Sequence, residues 1–305
     1  MSYYLREQDF ESFFQVPFEI YGNSHYVSPM KNDLRRNLDS EANPLLAKHG
    51  ECTYFTCFSQ NRPVGRIVAL IHRTSNVRHV TKRCQFGFFD CVNDLKVAQM
   101  LLNAAAEWGR AKGMEELCGN FNLTAMQQAG VVTEGFENIT FCDQLYGPDY
   151  LPSLLEKCGF TAFFPAQTSI VDLQSFEPET LVSGRVGEAL LDDRYTFHTV
   201  NKKNLTWALE QARIALNAGF DKNPMFVPLT KEEFEFQCRD LSTVMDPRIS
   251  VIATQGDRTL GAVVCIPDLN PLLKATKSRF KFTTIFHFLR FRFNRRRAVI
   301  IFYSV

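Results

Sequence analysis

No stretch of this sequence approaches the roughly 18 to 20 consecutive apolar residues that a membrane-spanning helix needs. The start, MSYYLREQDF, also lacks the cationic and then apolar order of a secretory leader. A cytoplasmic protein without a membrane span is therefore expected. There are nine cysteines but no CxxC pair, which removes the common zinc and dithiol motifs. Their odd number and their place inside apolar runs such as CTYFTCF and CQFGFFDC predict buried free thiols, with no metal. His72 and His79 flank RTSNVRH, with no carboxylate or cysteine at a spacing that would converge on them. Walker loops, GxSxG and HExxH are all missing, so the commonest nucleotide, serine-hydrolase and zinc-peptidase chemistries have no foothold.

Acidic residues are missing altogether after Asp268, while nine lysines and arginines follow it. With a whole-chain charge of +1, the first 268 residues therefore carry −8. The tail FKFTTIFHFLRFRFNRRR alternates in places, Phe286, Phe288, Phe291 and Phe293 standing against His287, Arg290 and Arg292. Aromatic anchors with basic charge suit a membrane surface, and stacking rings with arginines suit a nucleic acid. A plain connection between two strands is the preferred reading, so no nucleic-acid partner is expected.

What is present is the composition of a globular protein, 45% hydrophobic and 22% charged over 305 residues. FSQNRPVGRIVALI (Phe58 to Ile71) and ATQGDRTLGAVVCIP (Ala253 to Pro267) form a weak internal repeat, each a strand, a polar turn, then glycine and an apolar strand. One inserted residue in the second copy aligns Gly65 with Gly261. After the first copy come a strand, CQFGFFDC, and a helix over Asn93–Gly113 with Ala98, Leu101, Leu102, Ala105 and Trp108 as its buried stripe. Asn93 or Asp94 caps that helix, and Gly113 ends it. EELCGNFN reads as a short strand, YLPSLLEKCGF as a helix ending at Gly159, and TSIVDLQS as a final strand. Leu123 to Pro148 is a long connection of weak periodicity, the kind of loop that tends to be functional or disordered. In the second copy NLTWALEQARIALNAGF is a helix with Gly219 as C-cap, Thr230 and Glu233 form a capping box, and RRRAVIIFYSV ends in a strand over residues 298–305 with the arginines as its lead-in turn.

The order helices, hairpin, strand, helix, strand, helix, strand, together with VPFEIYGNSHYVSPMKNDLRRNLDSEANPLLAKHGE, RPVGRIVALIHRTSN, AAEWGRAKGMEELCGNFN, GVVTEGFEN and FVPLTKEEFE, resembles the GNAT (Gcn5-related N-acetyltransferase) superfamily. Within it the chain resembles poorly characterised bacterial proteins with paired GNAT-like domains. The resemblance implies an α/β fold with a mixed α+β sheet, in tandem. Residues 1–178 would form a first GNAT-like domain, 179–194 a linker, and 195–305 a second domain that stops at its fourth strand, truncated before its coenzyme A loop. It further implies acyl transfer from acetyl-CoA or another acyl-CoA to the amine of a small molecule. A GNAT-derived binding or scaffold protein without catalysis, or a truncated copy of a longer enzyme, is the alternative. Coenzyme A would lie where the fourth strand splays from the fifth, on the backbone of Phe88, Phe89 and Asp90 and on the helix-opening amides of Leu95, Lys96 and Val97. The loop DCVNDLKVAQ contains no glycine, however, and Asp94 brings a negative charge to the place of the phosphates. Leu155 stands where the family often has the tyrosine that protonates the leaving thiolate, so Tyr146 and Tyr150 are the substitutes. Glu134, Asp143 and Asp90 are the carboxylates placed to take a proton from an attacking ammonium, Glu134 first. An exposed edge at the last strand implies pairing with the first domain, pairing with a second copy in a homodimer, or aggregation.

Overall fold

The computed structural model describes every residue except Met1, Asn23, Ala125, Met126, Ser183, Pro247, residues 294–296 and Val305. Along the chain it runs β1 (Tyr3–Glu7), α1 (Phe10–Tyr21), α2 (Lys31–Asn37), β2 (Gly50–Ser59), β3 (Arg62–His72), α3 (Arg73–His79), β4 (Arg83–Cys91), α4 (Leu95–Ala111), β5 (Glu116–Gly119) and α5 (Tyr150–Lys157). It continues with α6 (Arg185–Leu191), β6 (Thr196–Thr199), α7 (Leu205–Gly219), α8 (Lys231–Gln237), α9 (Leu241–Val244), β7 (Val251–Gln255), β8 (Arg258–Pro267), α10 (Asn270–Thr276), α11 (Thr284–Phe293) and β9 (Ala298–Ser304). Two compact units result. The first comprises Met1–Thr161, Asp221–Gln237 and Pro267–Val299; the second comprises Ala162–Phe220, Cys238–Ile266 and Ile300–Val305.

The first unit is a three-layer structure. Its sheet has the order β1-β2-β3-β4-β5, antiparallel except for the parallel pair β4 and β5. One face is covered by α4 and α5, through Phe86, Phe89, Val97, Leu101, Leu154 and their neighbours. The other is covered by α1 and α2, through Phe13, Phe14, Leu34 and Phe88. The spacing of three and four along α4 is what buries Val97, Ala98, Leu101, Leu102 and Ala105 on one side. β1 has no counterpart in the sequence reading, although its register with β2, Tyr3 against Ser59 to Glu7 against Phe55, makes it an ordinary edge strand.

The hairpins of the two units are built alike. In the first, Ser59 pairs with Arg62 around Gln60 and Asn61, both at positive φ (46° and 67°), the two-residue turn that suits the twist of a hairpin. In the second, Gln255 pairs with Arg258 around Gly256 (φ 56°) and Asp257. Gly65 pairs with Cys57 and Gly261 with Ala253, and in both cases the register slips at the next pair toward the turn. The inserted residue of the sequence alignment is thereby removed: turn, glycine and bulge match without a gap once Gln60 is set against Gly256. In the second unit's sheet the order is β6-β7-β8-β9.

Three expectations change. TSIVDLQS does not form a strand; it has no regular structure up to a turn at residues 173–175, and Ile170, Val171 and Leu173 are exposed with no ladder partner among the described residues. Its apolar alternation is too short to specify a strand without a sheet edge to receive it. Gly219 is the last helical residue of α7, and Phe220 takes the cap position. The basic connection after Asp268 is largely helical, as α10 and α11. Residues 295, 296 and 305 lie outside the described residues, so the arginine turn and the last residue of the strand are not described.

Candidate functional site

The parallel ladder between β4 and β5 is short, running from Arg83 with Glu116 to Phe86 with Gly119. Beyond it β4 bulges: Arg66 pairs with Asp90 and Val68 with Gly87, one residue out of step, with Phe88 at φ 47°. The bulge turns Phe88 toward α1 and Phe89 toward α4. Here the two strands would open into an acyl-coenzyme A cleft.

The opening is filled by the chain that follows β5. The amide of Phe121 donates to the carbonyl of Phe86 at 2.7 Å. The Phe121 backbone lies so close to Gly87 that a Cβ there would sit 1.7 Å from the Phe121 oxygen. The two amides at the bulge are both engaged: Phe88 N–H donates to Asn122 Oδ1 at 2.6 Å and Phe89 N–H to Asn120 Oδ1 at 3.3 Å. Asn120 Nδ2 in turn donates to Asn122 Oδ1, Asn122 Nδ2 to Gln128 Oε1, and Gln128 Nε2 to the Gln144 carbonyl. A chain of side-chain amides thus ties the long loop onto the bulge, where it satisfies the donors an oxyanion would need.

The helix end next to the cleft is satisfied in the same way. Asp94 caps α4, its Oδ1 accepting from Lys96 N at 2.8 Å and Val97 N at 3.4 Å, while Tyr3 Oη donates to Oδ2 at 2.6 Å. The Tyr3 hydrogen bond is the largest influence holding the Asp94 carboxyl below its ordinary range. An anion at a helix N-terminus is stabilised by free amides and dipole, and here the protein supplies its own.

Below the bulge lies a buried polar cluster. Arg66 is 1% exposed; its Nε donates to Asp90 Oδ2 at 2.7 Å, its Nη2 to Tyr26 Oη at 3.0 Å and its Nη1 to the Phe13 carbonyl at 3.3 Å. Tyr21 Oη donates to Asp90 Oδ1 at 2.6 Å, and burial with the Asp90 charge beside it pushes the Tyr21 hydroxyl well above its ordinary range. Tyr146 packs edge-on against Tyr21 and Tyr26 at 5.2 and 5.7 Å between centroids. Cross-strand pairing of positions 66 and 90 puts opposite charges side by side with each of the three guanidinium nitrogens hydrogen-bonded, which is what makes a buried ion pair tolerable.

Tyr150 Oη donates to the Cys91 carbonyl at 2.8 Å, and burial raises its hydroxyl above the ordinary range. Glu134 is exposed in the long loop, and Asp143 is exposed at φ 61°. Thus Asp90, Tyr146 and Tyr150 gather at one place, Tyr150 lying within electrostatic reach of Asp90 and Tyr146, while Glu134 lies in the exposed loop. Asn120, Asn122, Tyr21, Tyr26 and Arg66 were missed, because nothing local in CGNFN or in the N-terminal helix says which strand its polar groups will meet. All nine cysteines are free; burial pushes Cys52, Cys84, Cys142 and Cys238 up to about 12. Among the described residues no group of three or more histidines, cysteines or carboxylates is placed to hold a metal, and no helix is long and apolar enough to cross a membrane.

A second polar spot lies at the far end of β3. A small cavity of about 30 Å3 is lined by His72, Ser75, Gln85, Thr124 and Glu233, among others. Glu233 is held by the expected capping box, accepting from Thr230 N at 2.9 Å while its own amide donates to Thr230 Oγ1 at 3.2 Å. Burial lowers His72 to about 4, so it is neutral at pH 7 and resists protonation. The unfolded chain binds that proton near pH 6.5, so stability is intact above 6.5 and falls as pH drops toward 4, by about 2 to 3 kcal/mol at pH 4.5. Urea unfolding of the wild type and of His72→Gln at pH 7 and 4.5 checks this; the variant is expected to lose less stability on acidification.

The sheet order, the parallel β4–β5 pair and the bulge give the first unit a GNAT-like fold in a mixed α/β structure. No model of a known protein family matches the chain. Protein YghO of Escherichia coli (strain K12) is 22% identical over 277 residues, 88% of this chain and 68% of its own length. Bacterial ceramide synthase of Caulobacter vibrioides (strain NA1000 / CB15N) is 23% identical over 256 residues, 84% of this chain and 66% of its own length. The chain therefore spans about two thirds of the length of these relatives. Among solved structures, a tandem GNAT protein from the clavulanic acid biosynthesis pathway is 11% identical, covering 87% of this chain and 74% of its own, with a TM-score of 0.44.

Proposed function

We propose that the protein belongs to the N-acyltransferase class, transferring an acyl group from acyl-CoA to an amine, and that its first unit is the non-catalytic half of that activity. The observation that carries the second clause is the double occupation of the cleft. The Phe88 and Phe89 amides are bonded by Asn122 and Asn120, and the Lys96 and Val97 amides by Asp94. The first clause is supported by the GNAT-like fold and by the similarity to a ceramide synthase, since a ceramide is an amide made on a long-chain amine.

A second reading has the first unit catalysing. Glu134 is then the base, Tyr146 and Tyr150 the groups that protonate the thiolate, and coenzyme A rests on Phe88, Phe89, Asp90, Leu95, Lys96 and Val97. It is favoured by Tyr146, whose ring joins the Arg66–Asp90–Tyr21 cluster beside the bulge. Thiol release from acetyl-CoA and long-chain acyl-CoAs, against a panel of small and long-chain amines, tests both. The proposal expects release that Tyr146→Phe, Tyr150→Phe and Glu134→Gln leave within about twofold. A loss of 100-fold or more in any of them moves catalysis into the first unit, and no release with any amine ends the acyltransferase reading. The proposal includes a cytoplasmic location and a homodimer through the outer edge of β9, for which a concentration-dependent mass in sedimentation equilibrium is the check.

A further inference from the structure

α11 is the part of the first unit that its core explains least. Helical spacing sets Ile285, Phe286, Leu289 and Phe293 on one stripe of α11, and Phe282 stands in the turn just before the helix. All five are exposed: Phe282 by 82%, Phe286 by 65%, Phe293 by 88%, Ile285 and Leu289 by about half. The opposite side faces inward, with Thr284 and Phe291 buried. An exposed aromatic stripe of this size is unusual on a soluble surface and marks an interaction site.

Charge says which kind of partner it suits. Lys277, Lys281 and Arg290 are exposed around the stripe, and the chain carries no carboxylate after Asp268. The neighbouring cations Arg279 and Arg297 are engaged within the protein, Arg279 with Gln15 and the Phe14 ring and Arg297 with Asp268 and the Phe141 ring. α10 anchors the segment: Ser278 Oγ donates to the Ser28 carbonyl, and Lys31 N donates to the Ser278 carbonyl at 2.8 Å. An apolar face with aromatic side chains, a border of lysine and arginine and a length of ten residues is the make-up of a helix that lies in the interface of a bilayer, not one that spans it. We infer that α11 docks the protein on an anionic membrane surface, with Phe282, Phe286, Leu289 and Phe293 in the headgroup region and Lys277, Lys281 and Arg290 on lipid phosphates. This goes beyond the acyltransferase reading and does not depend on catalysis; it places the protein where a lipid amine would be met.

Co-sedimentation of the full chain with vesicles tests it. The chain is expected to sediment with phosphatidylcholine vesicles containing phosphatidylglycerol, poorly with pure phosphatidylcholine, and several-fold less at 0.5 M salt, where the Debye length is only about 4 Å. Phe286→Ser with Leu289→Ser is expected to weaken the partition by about tenfold or more, and Lys281→Gln with Arg290→Gln to weaken it on the anionic vesicles alone. Both pairs are solvent-facing, and an unchanged circular dichroism melt confirms the fold. Absence of binding to the anionic vesicles, or binding that the Phe286→Ser, Leu289→Ser variant leaves untouched, overturns the inference. A dimer that this variant dissociates, without vesicle binding, assigns the face to a second copy and overturns it too. Acyl transfer is not read in this experiment, so its failure is separate from failure of the acyltransferase reading.

Discussion

Arg66→Ala is expected to destabilise the protein by about 3 to 5 kcal/mol, the cost of leaving the other half of a buried ion pair uncompensated. Asp90, 7% exposed, would lose the guanidinium and keep the Tyr21 hydroxyl, and Tyr26 and the Phe13 carbonyl would lose the bonds that Arg66 makes to them. The guanidinium also packs against the Phe13 and Phe88 rings at 4.9 and 5.8 Å from their centroids, so the substitution removes packing together with charge. Asp90→Ala is expected to be similarly damaging. The double variant Arg66→Met, Asp90→Leu is expected to cost markedly less than the two single changes summed, because no unpaired charge stays behind. Urea denaturation midpoints at pH 7 check the set. Single variants within 1 kcal/mol of the wild type would show that the cluster is solvated and that α1 is not pinned to the bulge.

The second large effect is at Gly87. Its added Cβ in Gly87→Ala would meet backbone, the Phe121 oxygen at 1.7 Å and the Phe121 carbonyl carbon at 2.6 Å, and backbone in a ladder has no rotamer to move aside. The chain after β5 must be driven off β4. The expected cost is about 3 kcal/mol, the upper part of the usual range for overpacking. With Phe121 displaced, Asn122 and Asn120 can no longer both reach the amides of Phe88 and Phe89. Hydrogen exchange at those two amides is expected to rise by at least tenfold more than the global loss of stability accounts for. Unchanged exchange and a loss below 0.5 kcal/mol would mean that the opening between β4 and β5 is not closed by this segment.

How much of this was legible depended on how local each signal is. QNRP and QGDR carry their turns in the residues themselves, so both hairpins, and even their kinship, could be read; what the letters suggested and the fold removed was one inserted residue. Asp94 could be read as a cap, and as a charge in the place of a phosphate, because a helix N-terminus creates its own demand for an acceptor. Asn120 and Asn122 could not be read, since their partners lie more than thirty residues earlier and the motif CGNFN would look the same in a solvated loop. Thr168–Ser175 failed for the opposite reason: its alternation looked like a strand, but a strand is defined by the edge that receives it. The tail shows period deciding outcome. Read as alternation, Phe286, Phe288, Phe291 and Phe293 belong together; on a helix, Phe291 turns inward while Phe286 and Phe293 face out with Leu289.

Closure of the cleft has a further consequence for the Tyr150 and Cys91 pair at its rim. The Tyr150 hydroxyl is committed to the Cys91 carbonyl at 2.8 Å, so its proton serves the strand end and is not presented to a ligand.

The central proposal is that the first unit has a GNAT-like sheet whose candidate coenzyme A cleft is filled by its own Asn120, Asn122 and Asp94. Its most direct test is to follow the backbone amide resonances of Phe88, Phe89, Lys96 and Val97 in the full chain while acetyl-CoA is titrated to millimolar concentration. No shift at these four amides is the result the account predicts. Saturable shifts at all four, with the Asn120 and Asn122 side-chain amides moving in step, would show the site opening to coenzyme A and would contradict it.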